Sequence, residues 1–134
     1  MTTNTISPDL EYYIGKLQPQ YESAGQAEIG RMLDQYGIPF FYQQPILVCN
    51  NGQRQVWRPD FTLPTYNNAV IEYDSIHAAT ADSRQRSIKE YLYRQNGIAA
   101  LFLKPSDLAR PEWQQQLYDR LEELYHRLPA YRDS

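Results

Sequence analysis

Apolar residues recur at every third or fourth position after Ser23, which is the spacing of one face of an α-helix. Ser23 and Gln26 have the form of a capping box, in which hydroxyl and amide satisfy free backbone donors at a helix start. Gly37, followed by Pro39, is a suitable helix end. The pattern predicts a helix from Ser23 to about Tyr36 with these inner positions: Ile29, Met32, Leu33 and Tyr36.

Two runs of aromatic and branched residues then read as strands, Phe40 to Cys49 and Gln55 to Leu63. Between them, Asn51-Gly52 provides the positive φ angles of a hairpin turn. Pro59 has no backbone donor, so an edge or a bulge is expected just before Asp60.

A turn at Thr65 to Asn68 leads into a third strand, Ala69 to Ser75. It begins with the continuous apolar run Ala-Val-Ile, as expected of a strand covered on both faces. The three strands are connected in sequence and are predicted to be antiparallel.

A second helix is predicted from caps at Thr80, Asp82 and Ser83 to about Asn96, where Gly97 ends it. Its expected inner face is Ile88, Tyr91, Leu92 and Gln95. The apolar strand Ile98 to Leu103 follows, and the helix before it makes a crossover to a parallel neighbour.

Pro111 is expected to open the last helix at its favoured first position. The helix is amphipathic and packs on the sheet or on another subunit, with its apolar stripe at Trp113, Leu117, Leu121, Leu124 and Leu128. Residues 1–20 are an N-terminal extension in which Tyr12 to Leu17 can form a short helix.

The order is helix, three antiparallel strands, helix, strand, helix, which predicts an α/β fold with a mixed central sheet flanked by helices. The 134 residues suit a single domain, with a core at residues 21–108 and a C-terminal helix at residues 109–134.

Composition adds constraints on location and redox chemistry. No apolar run approaches the ~18 residues of a membrane helix and no signal peptide is evident, so a cytoplasmic location is expected. Lone Cys49 excludes an intramolecular disulfide, and its apolar neighbours predict a buried structural thiol.

The formal net charge of −3 argues mildly against a nucleic-acid coat protein. Its distribution matters more, because Thr80 to Lys104 carries five basic residues against two acidic ones. A phosphate group of a binding partner can contact these basic side chains.

The candidate chemistry lies on the third strand, where Glu72 and Asp74 are two residues apart and so project to one face, opposite Ile71 and Tyr73. If Asp60 faces the same side, three carboxylates converge, and all-oxygen sites suit Mg²⁺ or Mn²⁺. The alternative is an acidic solvated face.

Pro59-Asp60 on one strand and Glu72-Tyr73-Asp74 on the next resemble the PD-(D/E)XK nuclease fold over roughly residues 21–108. The resemblance implies a restriction-endonuclease-like core and metal-binding acids at Glu28, Asp60 and Glu72. Asp74 stands where the general signature has Lys, so it is a further ligand or base, or Lys89 provides the cation from the helix. Otherwise the site is inactive.

The nearest likeness is to small endonuclease-like domains related to very-short-patch repair endonucleases. Pro59-Asp60-Phe61, Ile71-Glu72-Tyr73-Asp74, His77, Lys89-Glu90 and Gly97 match their pattern in order. Ser75 replaces the usual Gly, and His77 arrives one residue early.

The resemblance implies phosphodiester hydrolysis with one or two Mg²⁺ ions, most naturally in DNA. Arg84, Arg86 and Lys89 would neutralise backbone phosphates, and His77 would be a general base or phosphate donor unless it is simply exposed. A homodimer is plausible for a nuclease of this size that cuts both strands.

Two rival hypotheses belong to other classes. The first is a catalytically inactive nuclease-fold module that binds nucleic acid or a protein partner, as Asp74 at the Lys position favours. The second is a small interaction protein that uses its twelve Tyr residues and apolar last helix. Metal binding would distinguish the nuclease from the interaction protein, and cleavage would distinguish the nuclease from the inactive module.

Overall fold

The computed structural model describes residues 19–74 and 80–126, with residues 80–83 described by their backbone alone. The helices there are α1 Ala24–Gln35, α2 Thr80–Gln95, α3 Pro105–Leu108 and α4 Trp113–His126. The strands are β1 Phe41–Tyr42, β2 Ile46–Asn50, β3 Gln53–Trp57, β4 Phe61–Leu63, β5 Ala69–Tyr73 and β6 Ala100–Leu103. The short helix expected around Tyr12 lies outside the described residues.

The central sheet has four strands in the order β1-β4-β5-β6. The β1–β4 and β4–β5 pairs are antiparallel, whereas β6 runs parallel to β5 from Val70↔Ala100 to Tyr73↔Leu103. The predicted mixed sheet and the predicted parallel crossover through α2 are therefore confirmed. A parallel pair also places the carboxyl ends of β5 and β6 at the same edge of the sheet.

Each of the two long predicted strands is divided into two short ones. Gln43, at φ 53°, and Pro45 separate β1 from β2, while Pro59 separates β3 from β4. As a result, β2 and β3 form a hairpin of their own outside the central sheet. The irregularity expected before Asp60 is confirmed, and it places Asp60 at a break in the strand.

The predicted hairpin turn is confirmed, since Asn51 and Gly52 between β2 and β3 have φ angles of 53° and 81°. The prediction that Cys49 is buried is wrong, because its side chain is exposed. Successive residues of β2 face opposite sides of the hairpin. Val48, on the inner side, is fully buried. The other face of the hairpin is open, and Leu47 there is 62% exposed.

One face of the central sheet carries the hydrophobic core. Side chains from α1, from alternate positions of β4, β5 and β6, and from α4 form one cluster that includes Ile29, Met32, Leu33, Phe61, Leu63, Ile71, Leu101, Leu117 and Leu121. The last helix thus packs in this core. It begins at Trp113 rather than Pro111, after a turn in which the Trp113 N–H donates to the Arg110 carbonyl over 3.2 Å.

The predicted inner face of α2 is only partly right. Leu92 is 8% exposed as expected, but Ile88 and Tyr91 are each 54% exposed, and Gln95 is exposed as well. Instead, Tyr93 is buried against the sheet, and the Asn96 amide bonds the backbone N–H and C=O of Cys49 at 2.8 and 3.1 Å. These contacts orient α2 so that Tyr93 faces the sheet, whereas apolar spacing predicts that Ile88 and Tyr91 do.

Within residues 19–74 and 80–126, helices of the length and apolar character needed to cross a bilayer are absent.

Candidate functional site

Asp60 lies at the break before β4, where its side chain is nearly buried and both carboxylate oxygens accept hydrogen bonds. The Gln26 Nε2 donates to Oδ1 over 2.9 Å, and the backbone N–H of Tyr73 donates to Oδ2 over 2.7 Å. Gln26 belongs to α1 and Tyr73 ends β5. The carboxylate is therefore held between a helix and the end of the neighbouring strand.

Burial raises the pKa of Asp60 from 3.8 to about 6. The Tyr73 N–H opposes this rise, the charge of Glu72 adds to it, and the Gln26 hydrogen bond and the charge of Lys89 oppose it again. The influence of Glu72 follows from the register, since Phe61 pairs with Ile71 and so brings Asp60 beside the end of β5.

A pH dependence of stability follows from this raised pKa. As the pH falls through about 6, folded Asp60 takes up a proton, whereas unfolded Asp60 does so only near 3.8. Protonation therefore favours the folded state in this window. As the pH falls through this window, we expect the unfolding free energy of the wild type to rise by roughly 1 kcal/mol more than that of Asp60→Ala. The rise is smaller than the pKa shift alone would give, because solvent screens the partly buried carboxylate.

Urea unfolding of both proteins at a series of pH values from about 7.5 to about 4.5 measures this difference. Parallel pH profiles for the wild type and Asp60→Ala would contradict the assignment of a raised pKa to Asp60.

Glu72 is held from α2. The Tyr93 hydroxyl donates to Glu72 Oε2 over 2.5 Å, and the Lys89 Nζ contacts the same oxygen at 3.1 Å. The Glu72 side chain is 12% exposed, and Lys89 is 47% exposed. Burial, followed by the Glu72 charge, raises the pKa of Tyr93, which keeps this hydroxyl a donor.

A cleft of about 290 Å³ opens beside Glu72. It is lined by Glu72, Tyr73, Asp74, Gln85, Arg86, Lys89 and Phe102. Glu72 and Asp74 both line this cleft, as does Tyr73, while Ile71 lies in the core. The predicted common face of the two acids stays a prediction. Asp60 is not a lining residue.

Two of the three predicted basic residues reach this cleft. Arg86 bonds Glu90 at 3.0 Å and lies 5.1 Å from the centre of the Phe102 ring. Lys89 bonds Glu72 and also lies 5.9 Å from the Trp57 ring. Arg84, in contrast, is exposed and lines a different cleft next to the hairpin turn.

Two predicted site residues remain, Glu28 and His77. Glu28 is exposed on α1, where its charge adds to the rise that burial gives the pKa of Tyr73. The α1 side chain that reaches Asp60 is Gln26. His77 lies outside the described residues. Among the described residues, groups of three or more His, Cys, Asp or Glu side chains that could hold a metal are absent.

Sequence reasoning missed Gln26 and Tyr93 as site residues. Gln26 was accounted for as part of a helix cap, and Tyr93 was not among the predicted inner positions of α2. A signal existed for Tyr93, because it follows Lys89 by four positions and so shares its helix face.

Asp60 and Glu72 carry the kind of oxygen donors that a hard divalent cation takes. Mg²⁺ is usually bound through one or two carboxylates while it keeps several waters and contacts substrate phosphates. Asp60 and Glu72 provide two nearly buried carboxylates. Lys89 bonds Glu72 Oε2, so a cation bound to this oxygen would compete with its ammonium group.

Comparisons with protein-family models, curated proteins and solved structures gave no match for this chain.

Proposed function

We propose that this protein is a metal-dependent nuclease that hydrolyses phosphodiester bonds in DNA, with Mg²⁺ or Mn²⁺ held by Asp60 and Glu72. The observation that carries the proposal is the Lys89 ammonium group 3.1 Å from Glu72 Oε2, on a carboxylate that lies next to Asp60 at the strand ends. Two carboxylates and one cation are the groups that the resemblance to PD-(D/E)XK nucleases requires.

When bound, the ion supplies Lewis-acid polarisation of the phosphate and activation of the attacking water. The protein's own residues do the rest. Asp60 and Glu72 would hold the ion, and each carboxylate is bonded from a different helix, Asp60 by Gln26 and Glu72 by Tyr93. Asp74, in the same cleft as Glu72, can serve as a further ligand or accept a proton from water.

Lys89 takes the role that the Lys of the general signature has on the strand. It reaches Glu72 from α2, whereas Asp74 stands at the strand position. Its ammonium group, half-exposed in the cleft, would neutralise charge on a phosphate bound there. Arg86, in the same cleft, is the second candidate for a phosphate contact.

One observation favours the second candidate function, a catalytically inactive module that binds nucleic acid or a protein partner. Both carboxylates already have protein donors, since Gln26 and the Tyr73 N–H bond Asp60 while Tyr93 and Lys89 bond Glu72. This arrangement is stable without an ion.

The test is incubation of the protein with supercoiled plasmid and with a single-stranded oligonucleotide, in Mg²⁺, Mn²⁺ or EDTA. We expect nicking or cleavage that needs the divalent ion and vanishes in Asp60→Ala with Glu72→Ala. Binding of DNA without cleavage in any ion would reject the nuclease and favour the inactive module. Sedimentation of the same samples shows whether the active species is the homodimer expected of an enzyme that cuts both strands.

A further inference from the structure

We propose that Gln26 is a positioning residue for Asp60, and that it stands where a glutamate would give the cation site a third carboxylate. This inference deepens the proposed function and rests on it, because it assigns the residue that orients one of the two ion-binding carboxylates.

The backbone of Gln26 is fixed in the first turn of α1. Its N–H donates to the Ser23 hydroxyl over 3.2 Å, which is the predicted helix cap. The residue is only 5% exposed, although it is polar. A buried amide needs its hydrogen bonds satisfied, so its side chain has a restricted set of orientations.

The direction of the amide follows from its partners. Gln26 Oε1 accepts from the backbone N–H of Glu22 over 2.9 Å and from the Tyr42 hydroxyl over 2.8 Å. A backbone N–H can only donate, so the atom that faces it must be the oxygen. The nitrogen is therefore the atom that faces Asp60 Oδ1, and Gln26 presents a donor to this carboxylate.

A donor orients Asp60 but does not itself bind a cation, because an amide N–H has no lone pair to offer. The same place on α1 can be occupied by the nearly isosteric Glu. One of its oxygens can accept from Glu22 and Tyr42, and the other then lies next to Asp60 Oδ1. Such a pair of acids repels itself unless a proton or a cation lies between the oxygens.

A second observation shows that α1 is built to approach this end of β5 closely. A Cβ atom added at Gly25 would lie 2.2 Å from Cζ of Tyr73, so the Tyr73 ring occupies the place of a side chain on the helix. This contact sets Gln26, the next residue, against the strand end where Tyr73 and Asp60 are bonded. Glu28, by contrast, is exposed on the helix.

The test is calorimetric titration of Mn²⁺ into the full chain and into Gln26→Glu, with melting curves to confirm folding. We expect Gln26→Glu to bind Mn²⁺ at least tenfold more tightly than the wild type, and Asp60→Ala in the same chain to remove the gain. A gain that depends on Asp60 would place residue 26 beside Asp60 in the cation site, and loss of the amide in Gln26→Met tests the orienting role itself. Unchanged or weaker binding, or a gain that survives Asp60→Ala, would overturn the proposal.

The matched control is Gln115→Glu, because Gln115 Nε2 bonds Asp119 at 2.9 Å on the exposed side of α4. It makes the same chemical change at the same kind of contact, away from the site, and should leave Mn²⁺ affinity unchanged. If Gln26→Glu does not fold, Gln26→Met removes only the amide and should weaken Mn²⁺ binding by ~10–100-fold, as for other groups that orient metal ligands. Unchanged affinity in this variant would also overturn the proposal.

These outcomes are distinct from failure of the proposed function. A wild type that binds Mn²⁺ but cuts no DNA rejects the nuclease, while the variant affinities still decide the role of Gln26.

Discussion

Replacing Glu72 with Gln is expected to reduce metal-dependent cleavage by at least ~100-fold, since loss of a residue that merely orients a ligand already costs ~10–100-fold. The substitution removes one charge and keeps the shape of the side chain. The remaining amide oxygen can still accept from Tyr93, so the loss reports on the carboxylate and not on the fold. Cleavage rates on plasmid at saturating Mg²⁺, with a melting temperature for each protein, measure the effect.

Glu112→Gln is the control for this substitution, because Glu112 is exposed and lies just before α4. It changes the net charge equally and should cleave like the wild type. Equal cleavage by Glu72→Gln and the wild type would remove Glu72 from the site.

Replacing Lys89 with Met is expected to have the second large effect, and its two readouts should move differently. Cleavage should fall by roughly 10–100-fold because a positive group near the phosphate is lost. Mn²⁺ affinity should stay equal or rise, since Lys89 no longer competes for Glu72 Oε2. Loss of a residue whose only role is to support the fold would lower both cleavage and Mn²⁺ affinity.

Arg94→Met is the matched control, because Arg94 is an exposed basic residue on the same helix. It should change neither cleavage nor affinity by more than a few-fold. A Lys89→Met protein with weakened Mn²⁺ binding and a lowered melting temperature would show that the Lys89–Glu72 pair stabilises the fold and has no part in catalysis.

Each carboxylate of the candidate site is held by a different helix. Helix α1 orients Asp60 through Gln26, helix α2 orients Glu72 through Tyr93 and Lys89, and the sheet between them brings the two carboxylates together. Each carboxylate is nearly buried, and burial disfavours the ionised form of Asp60. Under the proposed function, a bound cation would stabilise that ionised form.

Much of this arrangement was predictable from local patterns. Strand alternation was enough to place Glu72 and Asp74 in one cleft and Ile71 in the core, because side-chain direction on a strand has a period of two. The Asn51-Gly52 turn and the parallel β5–β6 pair followed from turn chemistry and from the crossover helix.

Other features depend on contacts between distant parts of the chain and could not be predicted in this way. The burial of Cys49 was expected from apolar neighbours, but one face of the β2–β3 hairpin has nothing packed on it among the described residues. The orientation of α2 depends on Asn96 bonding the backbone of Cys49, which apolar spacing does not encode. Gln26 meets Asp60 only because α1 approaches the end of β5 at Gly25.

We propose that Asp60 and Glu72 together hold a divalent cation. A crystal of the protein grown with Mn²⁺ tests this, because anomalous scattering locates the ion without reference to activity. We expect one strong anomalous peak coordinated by both carboxylates, with Lys89 displaced from Glu72. Crystals in saturating Mn²⁺ that show no peak there, with the Lys89–Glu72 and Gln26–Asp60 contacts intact, would contradict it.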